Sequence, residues 1–196
     1  MRIESIRQHL RRYSILGRRR TTINHAFASA IALNDEYDRQ RVIDAIRALG
    51  LDPDKDLTCV YCDRKPAQTW DHVFGLVKGG QYAGFGHTVG NLLPCCRDCN
   101  SLKGNRELSS FLSGLIEDHE RLNAKLEKLK SHFDHYLPPK LAFDEFRRIC
   151  PDEMKQLQEA KNIILSEMSR ADKIAEAIRK KVKEHLDGVV TQGGIA

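Results

Sequence analysis

The sequence predicts an α+β protein in which a small, cysteine-stapled ββα core lies between N- and C-terminal α-helical segments. Apolar residues recur at helical spacing in the first and last parts of the 196-residue chain. Between them, cysteines, glycines and short apolar runs replace that periodicity. Two Cys-x2-Cys pairs, separated by 33 residues, lie in this middle stretch. We therefore predict three segments, 1–56, 57–106 and 107–196.

Residues 1–56 are predicted to form a basic helical segment. A first short helix is expected to end at Gly17, because glycine favours helix termination. Thr21 or Thr22 can cap a second helix, and Asp35 can cap a third. The segment is therefore expected to be a small helical unit.

The net charge of +5 is concentrated at the N-terminus. Residues 1–20 hold seven arginines and a single acid, Glu4. Such a cluster suits the phosphate backbone of a nucleic acid. Arg18, Arg19 and Arg20 are therefore predicted to bind nucleic acid from a mobile joint between two helices. The alternative is a solvated arm without a partner.

The middle segment, residues 57–106, is predicted to contain two short strands and one short helix. Its glycine-rich stretch is long for a loop in a compact domain, and loops of that length tend to be functional. Pro94 and Gly104 are expected to end the second strand and the helix. The expected elements in chain order are a strand over 68–73, a loop over 74–90, a strand over 91–93 and a helix over 97–103.

Residues 107–196 are predicted to be helical and to end in a frayed tail from Gly188. One amphipathic helix is expected from Glu107 to about Tyr136, and another over residues 152–186. The second helix carries apolar residues close to heptad spacing, which predicts intramolecular packing, with a homodimer through this helix as the alternative. The apolar residues are Leu157, Ile164, Met168, Ala171, Ala175, Ile178 and Val182.

Four cysteines are predicted to bind one structural zinc ion. Two thiolates two residues apart can point at one metal, and two such pairs complete a tetrahedral shell with no position open for catalysis. The matched spacing favours Cys96 over Cys95 as a ligand, and Cys150 is expected to be a small buried hydrophobe. Three disulfides are the less favoured alternative, because paired cysteines in a chain without a signal usually bind metal. The predicted ligands are Cys59, Cys62, Cys96 and Cys99.

Hydropathy gives an expectation about location. Residues 1–20 contain no continuous apolar stretch, which argues against a secretory signal. The chain also has no run of about 18 apolar residues that would span a membrane. We therefore expect a cytoplasmic protein without a membrane partner.

Polar residues between and beside the cysteines are suited to hydrolysis. Asp71 and Asn100 offer a carboxylate and an amide oxygen, which hard divalent ions prefer. His72 can act as a general base near neutral pH. A strand that ends at His72 would let Asp71 and His72 serve one site. Lys103 lies on the same helical face as Asn100 and is predicted to contact a phosphate.

An ordered set of motifs in this segment resembles the HNH nuclease family, of the ββα-metal type with a zinc knuckle. Each motif alone is weak, whereas the set in this order and spacing is highly specific. The helical flanks carry no such resemblance. The motifs are Cys59-Val-Tyr-Cys62, Trp70-Asp71-His72-Val73, Lys78-Gly79-Gly80, Asn91-Leu92-Leu93-Pro94 and Cys96-Arg-Asp-Cys99-Asn100-Ser-Leu-Lys103.

The resemblance implies a DNA endonuclease that leaves 5′-phosphate and 3′-hydroxyl ends. His72 is then the general base, and Asp71 and Asn100 bind a catalytic Mg²⁺ or Mn²⁺. Asn91 corresponds to the middle asparagine, which orients the loop bearing the histidine. The third signature position is Asn100 rather than histidine, so this is an H-N-N variant. The alternative is a non-catalytic, zinc-stabilised module that binds nucleic acid.

Three further residues have weaker expectations attached. His87 lies in the glycine-rich loop and is expected to be structural, with substrate contact as the alternative. Trp70 is expected in the core beneath the zinc site. Lys78 is predicted either to contact a phosphate or to be solvated at a loop tip.

Overall fold

The computed structural model describes residues 3–192, apart from the side chains of residue 8 and residues 189–192. The chain divides into two compact units. We call Phe27–Phe146 the central unit, and Met1–Ala26 with Arg147–Ala196 the terminal unit. The predicted α+β class is confirmed. The unit bounds differ from the three predicted segments, because the two ends of the chain share one unit.

The described part of the terminal unit is mostly helical. Asp172 caps the helix that begins at Ile15. Its carboxylate accepts hydrogen bonds from the N–H groups of Ile15 at 2.7 Å and Leu16 at 3.1 Å. These helices are a 3₁₀-helix over Ile3–Ser5, α1 (Ile6–His9), the first part of α2 (Ile15–Ile31) and, at the other end of the chain, α8 (Pro151–Gln192).

The predicted helix end at Gly17 is wrong. The hydroxyl of Ser14 accepts a hydrogen bond from the Gly17 N–H at 2.9 Å, so this glycine lies in the first turn of α2. Thr21 and Thr22 lie inside the same helix rather than at its start. The arginines at 18–20 are therefore exposed on a helix, not on a mobile joint.

Helix α8 is longer than predicted. The tail expected to fray from Gly188 continues the helix to Gln192, and residues 193–196 lie outside the described residues. On the predicted seam, Ile164, Ile178 and Val182 expose 37%, 56% and 52% of their surface. A homodimer through this helix stays a prediction. Nowhere in residues 3–192 does a helix have the length and hydrophobicity needed to cross a membrane.

The central unit combines short strands with helices. Two small antiparallel sheets form, one from the first and last strands and one from the middle two. After the end of α2, the elements are α3 (Arg39–Ala48), β1 (Thr69–His72), β2 (Val77–Lys78), β3 (Gln81–Tyr82), a 3₁₀-helix (Val89–Asn91), β4 (Leu92–Cys95), α4 (Arg97–Lys103), α5 (Leu108–Ser113), α6 (His119–Tyr136) and α7 (Phe143–Ile149).

Two predicted helix boundaries in this unit are wrong. Asp38, not Asp35, caps α3, because its carboxylate accepts hydrogen bonds from the first free N–H groups of that helix. The single helix predicted from Glu107 is divided into α5 and α6. Glu107 caps the first and Asp118 caps the second, so each helix has its own start.

Strands β1 and β4 form the antiparallel ribbon that carries the candidate site. Asp71 pairs with Leu93, and His72 pairs with Leu92. Pro94 was expected to end the second strand, but it lies within β4, opposite Trp70. A two-stranded ribbon leaves one edge of each strand unpaired, so a proline nitrogen can be accommodated there.

Helix α4 has the predicted bounds. The Cys96 side chain caps its start, and Gly104 ends it with a backbone φ of 47°, a conformation that favours glycine. The Gly104 N–H donates to the carbonyl of Asn100 at 2.9 Å. Local capping therefore determines both ends of this helix.

The hydrophobic core of the central unit surrounds the cysteines. Leu93 of β4, Leu112 of α5 and Leu129 of α6 are almost fully buried within it. The Tyr61 ring is also buried and packs edge-on against Phe111. The cysteine cluster is thus part of the core rather than an appendage to it.

Candidate metal centre and active site

The four predicted cysteines converge on one point. The sulfurs of Cys59, Cys62, Cys96 and Cys99 lie within 4.8 Å of one another, and all four residues are buried. Four thiolates about 2.3 Å from a tetrahedral zinc would stand about 3.8 Å apart, so the cluster fits a zinc ion. Cys95 is not part of the cluster, and burial raises the pKa of its thiol to about 12. Spacing favoured Cys96 over Cys95, and Cys96 is the residue that lies in the cluster.

Local backbone geometry shapes the cysteine cluster. The first pair lies in a turn closed by the Asp63 N–H, which donates to the Cys59 carbonyl at 2.9 Å. Burial raises the pKa of Cys59. Burial is also the largest influence at Cys62, but hydrogen bonds from the backbone and from neighbouring thiols together outweigh it and lower the pKa of Cys62 to about 7. A divalent cation would compensate the cost of burying four thiolates together.

Asp71 is buried on β1, with 7% of its surface exposed. Its Oδ2 accepts a hydrogen bond from the Tyr61 hydroxyl at 2.5 Å and lies 3.0 Å from the Lys103 ammonium. Burial, then the charge of Asp71, raises the Tyr61 pKa, so this hydroxyl remains a donor. Within residues 3–192, no hydrogen-bond partner is found for Asp71 Oδ1.

Lys103 reaches from α4 to the end of β1. Its side chain is only 2% exposed, and its ammonium donates to the His72 carbonyl at 3.4 Å as well as pairing with Asp71. In this arrangement its charge is directed at the carboxylate. Its predicted contact with a phosphate stays a prediction.

His72 is the last residue of β1 and is partly buried. Its Nε2 lies 2.9 Å from Nδ1 of His87, and the two rings meet edge to face. Burial lowers the pKa of His72, the neighbouring His87 and Lys103 lower it further, and Asp71 opposes them. The neutral imidazole is therefore the dominant form at neutral pH.

Asn91 is fully buried and holds the chain that follows His72. Its Oδ1 accepts a hydrogen bond from the Phe74 N–H at 2.9 Å. Its Nδ2 donates to the Phe74 carbonyl at 3.0 Å and to the Gly86 carbonyl at 2.9 Å. One side chain thus connects both ends of the glycine-rich loop.

Asn100 lies on α4, one turn before Lys103 and on the same helical face. Its backbone N–H donates to the Cys96 carbonyl at 3.0 Å. In the described part of the chain, its side-chain amide makes no hydrogen bond to protein. That amide oxygen is consequently free to accept another ligand.

A basic cleft of about 400 Å³ lies beside Lys103, between the β2–β3 hairpin and the end of α4. Lys78 is exposed and lines the wall of this cleft. Its contact with a phosphate stays a prediction. Arg106 and Lys140 line the same cleft, and Glu107 is the single acid among them. Sequence reasoning missed Arg106 and Lys140 because neither belongs to a motif.

Sequence reasoning also underrated three residues. His87 contacts the ring of His72, which is compatible with the structural role expected of it but was not foreseen from the sequence. Tyr61 lies within the first cysteine pair, and its contact with Asp71 depends on how the knuckle packs. Trp70 was expected in the core, yet it is 47% exposed, because strand alternation places it on the face opposite Asp71.

Comparison with known proteins agrees with this geometry. Residues 59–106 match the family model described as HNH endonuclease, which confirms the resemblance seen in the motifs. The matched span contains the four cysteines, the β1–β4 ribbon and α4. The family is of nuclease type. No curated protein and no solved structure matches the chain.

Proposed function

We propose that this chain is a metal-dependent HNH endonuclease that hydrolyses phosphodiester bonds in DNA, with zinc as a structural ion. One observation carries the proposal. The end of β1 places Asp71 and His72 next to Lys103 of α4, inside the segment that matches the nuclease family. The Asp71 carboxylate pairs with the Lys103 ammonium, and the imidazole of the next residue, His72, lies near enough for both charges to shift its pKa. These groups are suited to hydrolysis of a phosphate ester.

Asp71 and Asn100 would hold the catalytic Mg²⁺ or Mn²⁺. Both offer oxygen ligands, which suit these ions, and each has an oxygen without a hydrogen bond inside the described range. When bound, such an ion stabilises the charge that builds on the phosphate during attack by water. The Tyr61 hydroxyl and the Lys103 ammonium hold the Asp71 carboxylate in place.

His72 would take the proton from the attacking water. Its lowered pKa keeps the ring neutral, which is the form that a base requires. His87 Nδ1 occupies the Nε2 side of the ring, and the proposed mechanism uses the tautomer in which Nε2 donates to it. Nδ1 then carries the free lone pair that accepts the proton from water.

Asn91 would keep this histidine in position, and basic side chains would bind the DNA backbone. The Asn91 hydrogen bonds to Phe74 hold the chain two residues after His72. Lys78 in the basic cleft and the exposed arginines at 18–20 are suited to phosphate contacts. Lys103 could reach a phosphate only if one enters that cleft.

One contact favours the alternative, a non-catalytic zinc module that binds nucleic acid. The Lys103 ammonium already balances the charge of Asp71, so this carboxylate does not require a divalent ion for its neutralisation. In that case the chain would bind DNA without cleaving it, and adding Mg²⁺ would not produce cleavage.

A cleavage assay separates the two functions. Purified protein is incubated with plasmid DNA, and separately with RNA, with Mg²⁺, with Mn²⁺ or without added metal. We expect metal-dependent DNA cleavage, and His72→Ala should lower the rate by about 10²–10⁴-fold because the base acts in the transition state. His25→Ala, an exposed histidine on α2, is the matched control. Binding without cleavage in every metal would refute the proposal.

A further inference from the structure

A second feature of the central unit is an apolar cavity of about 330 Å³ on the Trp70 face of the β1–β4 ribbon. Val42 and Ile46 of α3, Leu92 of β4 and His132 of α6 contribute to its wall. The proposed reaction uses none of these side chains. Its apolar walls exclude a bare phosphate as the ligand, because a buried charge would lack compensation.

The cavity and the candidate active site share a wall. His87 lines the cavity and also contacts Nε2 of His72 at 2.9 Å. Trp70, two residues before His72 on the same strand face, lines the cavity and leaves 47% of its surface exposed. A large aromatic ring is thus exposed next to the proposed general base.

The wall also contains one buried histidine, His132, with unused hydrogen-bonding capacity. His132 is 1% exposed. Among the described residues, neither of its ring nitrogens forms a hydrogen bond of normal geometry, although the backbone carbonyls of Ala45 and Gly90 lie nearby. A neutral imidazole offers one donor and one acceptor, so two carbonyls cannot satisfy both nitrogens. Both nitrogens are closed to solvent, so a ligand in the cavity would contact His132 through ring carbons.

We propose that this cavity binds one unstacked nucleobase of the substrate strand, close to the cleaved bond. A base has two apolar faces, which suit the Trp70 ring and the aliphatic wall, and a polar edge, which suits the partly exposed imidazole of His87 in the same wall. Glu36 lines the same cavity and disfavours an anion there, while the charge of Asp35 beside it is offset by Arg41, so the phosphate stays outside the cavity. The inference rests on the proposed function, because that function supplies a ligand that carries such rings.

Base binding should be visible in affinity and in substrate choice. Stacking of one base on an aromatic side chain typically strengthens binding by about tenfold. Extruding a base from a duplex costs free energy, which offsets this gain in affinity. The cost is least where the base is already unpaired. We therefore expect tighter binding to single-stranded or mismatched DNA than to a fully paired duplex of the same length.

Trp70 is the only tryptophan of the chain, so its emission reports on the cavity. Protein without added Mg²⁺ is titrated with a single-stranded oligonucleotide, and then with oligonucleotides that carry an abasic site at successive positions. We expect quenching of Trp70 emission by the complete strand. An abasic site at one position should abolish the quenching and weaken binding by about tenfold.

Two variants make the test specific. With affinity measured from a fluorescent label on the DNA, Trp70→Ala should bind the complete and the abasic strands equally, and Trp70→Phe should keep part of the difference. Tyr13→Ala, an exposed aromatic residue of the terminal unit, should behave like the wild type. Tight binding without quenching, or a Trp70→Ala protein that still discriminates against the abasic strand, would overturn the proposal.

Failure of the base pocket differs from failure of the nuclease function. Quenching without cleavage in any metal would support the pocket and refute catalysis. Cleavage without quenching would do the reverse. A chain that neither binds nor cleaves DNA or RNA would refute both.

Discussion

The hydrogen bonds of Asn91 allow a quantitative prediction. Asn91→Ala removes three hydrogen bonds of 2.9–3.0 Å from a residue with no exposed surface. At about 1 kcal/mol each, this substitution should lower the free energy of unfolding of the central unit by about 3 kcal/mol. The loss arises because the backbone groups of Phe74 and Gly86 are left without partners.

Urea unfolding measured by Trp70 emission tests this prediction, because that residue lies in the central unit. With a slope of about 2 kcal/mol per molar urea, the midpoint should fall by about 1.5 M. Asn91→Asp keeps the acceptor for the Phe74 N–H but loses both donors, so its urea midpoint should also lie well below that of the wild type. Asn123→Ala, an exposed asparagine of α6, is the control and should change little. An Asn91→Ala midpoint within about 0.3 M of the wild type would refute the reasoning.

Three further predictions concern zinc, DNA affinity and pH. Elemental analysis should find one zinc per chain. Cys96→Ser should lose this zinc and Cys95→Ser should keep it; the opposite result would mean that Cys95, not Cys96, is the ligand. Replacing the arginines at 18–20 by alanine should reduce the log–log salt slope of DNA binding by about one to three, with cleavage at saturating DNA unchanged; an unchanged slope would contradict it. Burial lowers the pKa of His132 below the ordinary histidine value. The contribution of this residue to the free energy of unfolding is therefore fully present above that ordinary pKa, and it is lost at lower pH, where the unfolded chain takes up the proton. The urea midpoint of His132→Phe should therefore fall less between about pH 7.5 and pH 5.5 than that of the wild type.

Local chemistry made the centre of the chain predictable. The bounds of α4 follow from Cys96 before it and Gly104 after it, and both signals lie in the sequence next to the helix. The arrangement within each cysteine pair follows from its spacing, because each pair lies in one turn. The predicted choice of Cys96 over Cys95 rested on the same spacing, and the structure agrees with it.

Long-range contacts account for what sequence reasoning missed. Gly17 does not end a helix because Asp172, far away in the sequence, accepts hydrogen bonds from the first N–H groups of α2, and Gly17 lies in the first turn of that helix. The contacts of His72 with His87 and of Asp71 with Lys103 depend on strand register and loop path. Residue type indicates that these side chains can react, but only the fold specifies their partners.

The path from zinc to the proposed active site is short and consists of defined contacts. Tyr61 lies between Cys59 and Cys62, and its hydroxyl donates to Asp71. Lys103 lies at the end of the helix that Cys96 caps, and its ammonium reaches the same carboxylate oxygen. Both contacts to Asp71 therefore come from elements that the four cysteines hold together. The zinc ion, although it takes no part in the proposed reaction, would position the carboxylate on which that reaction depends.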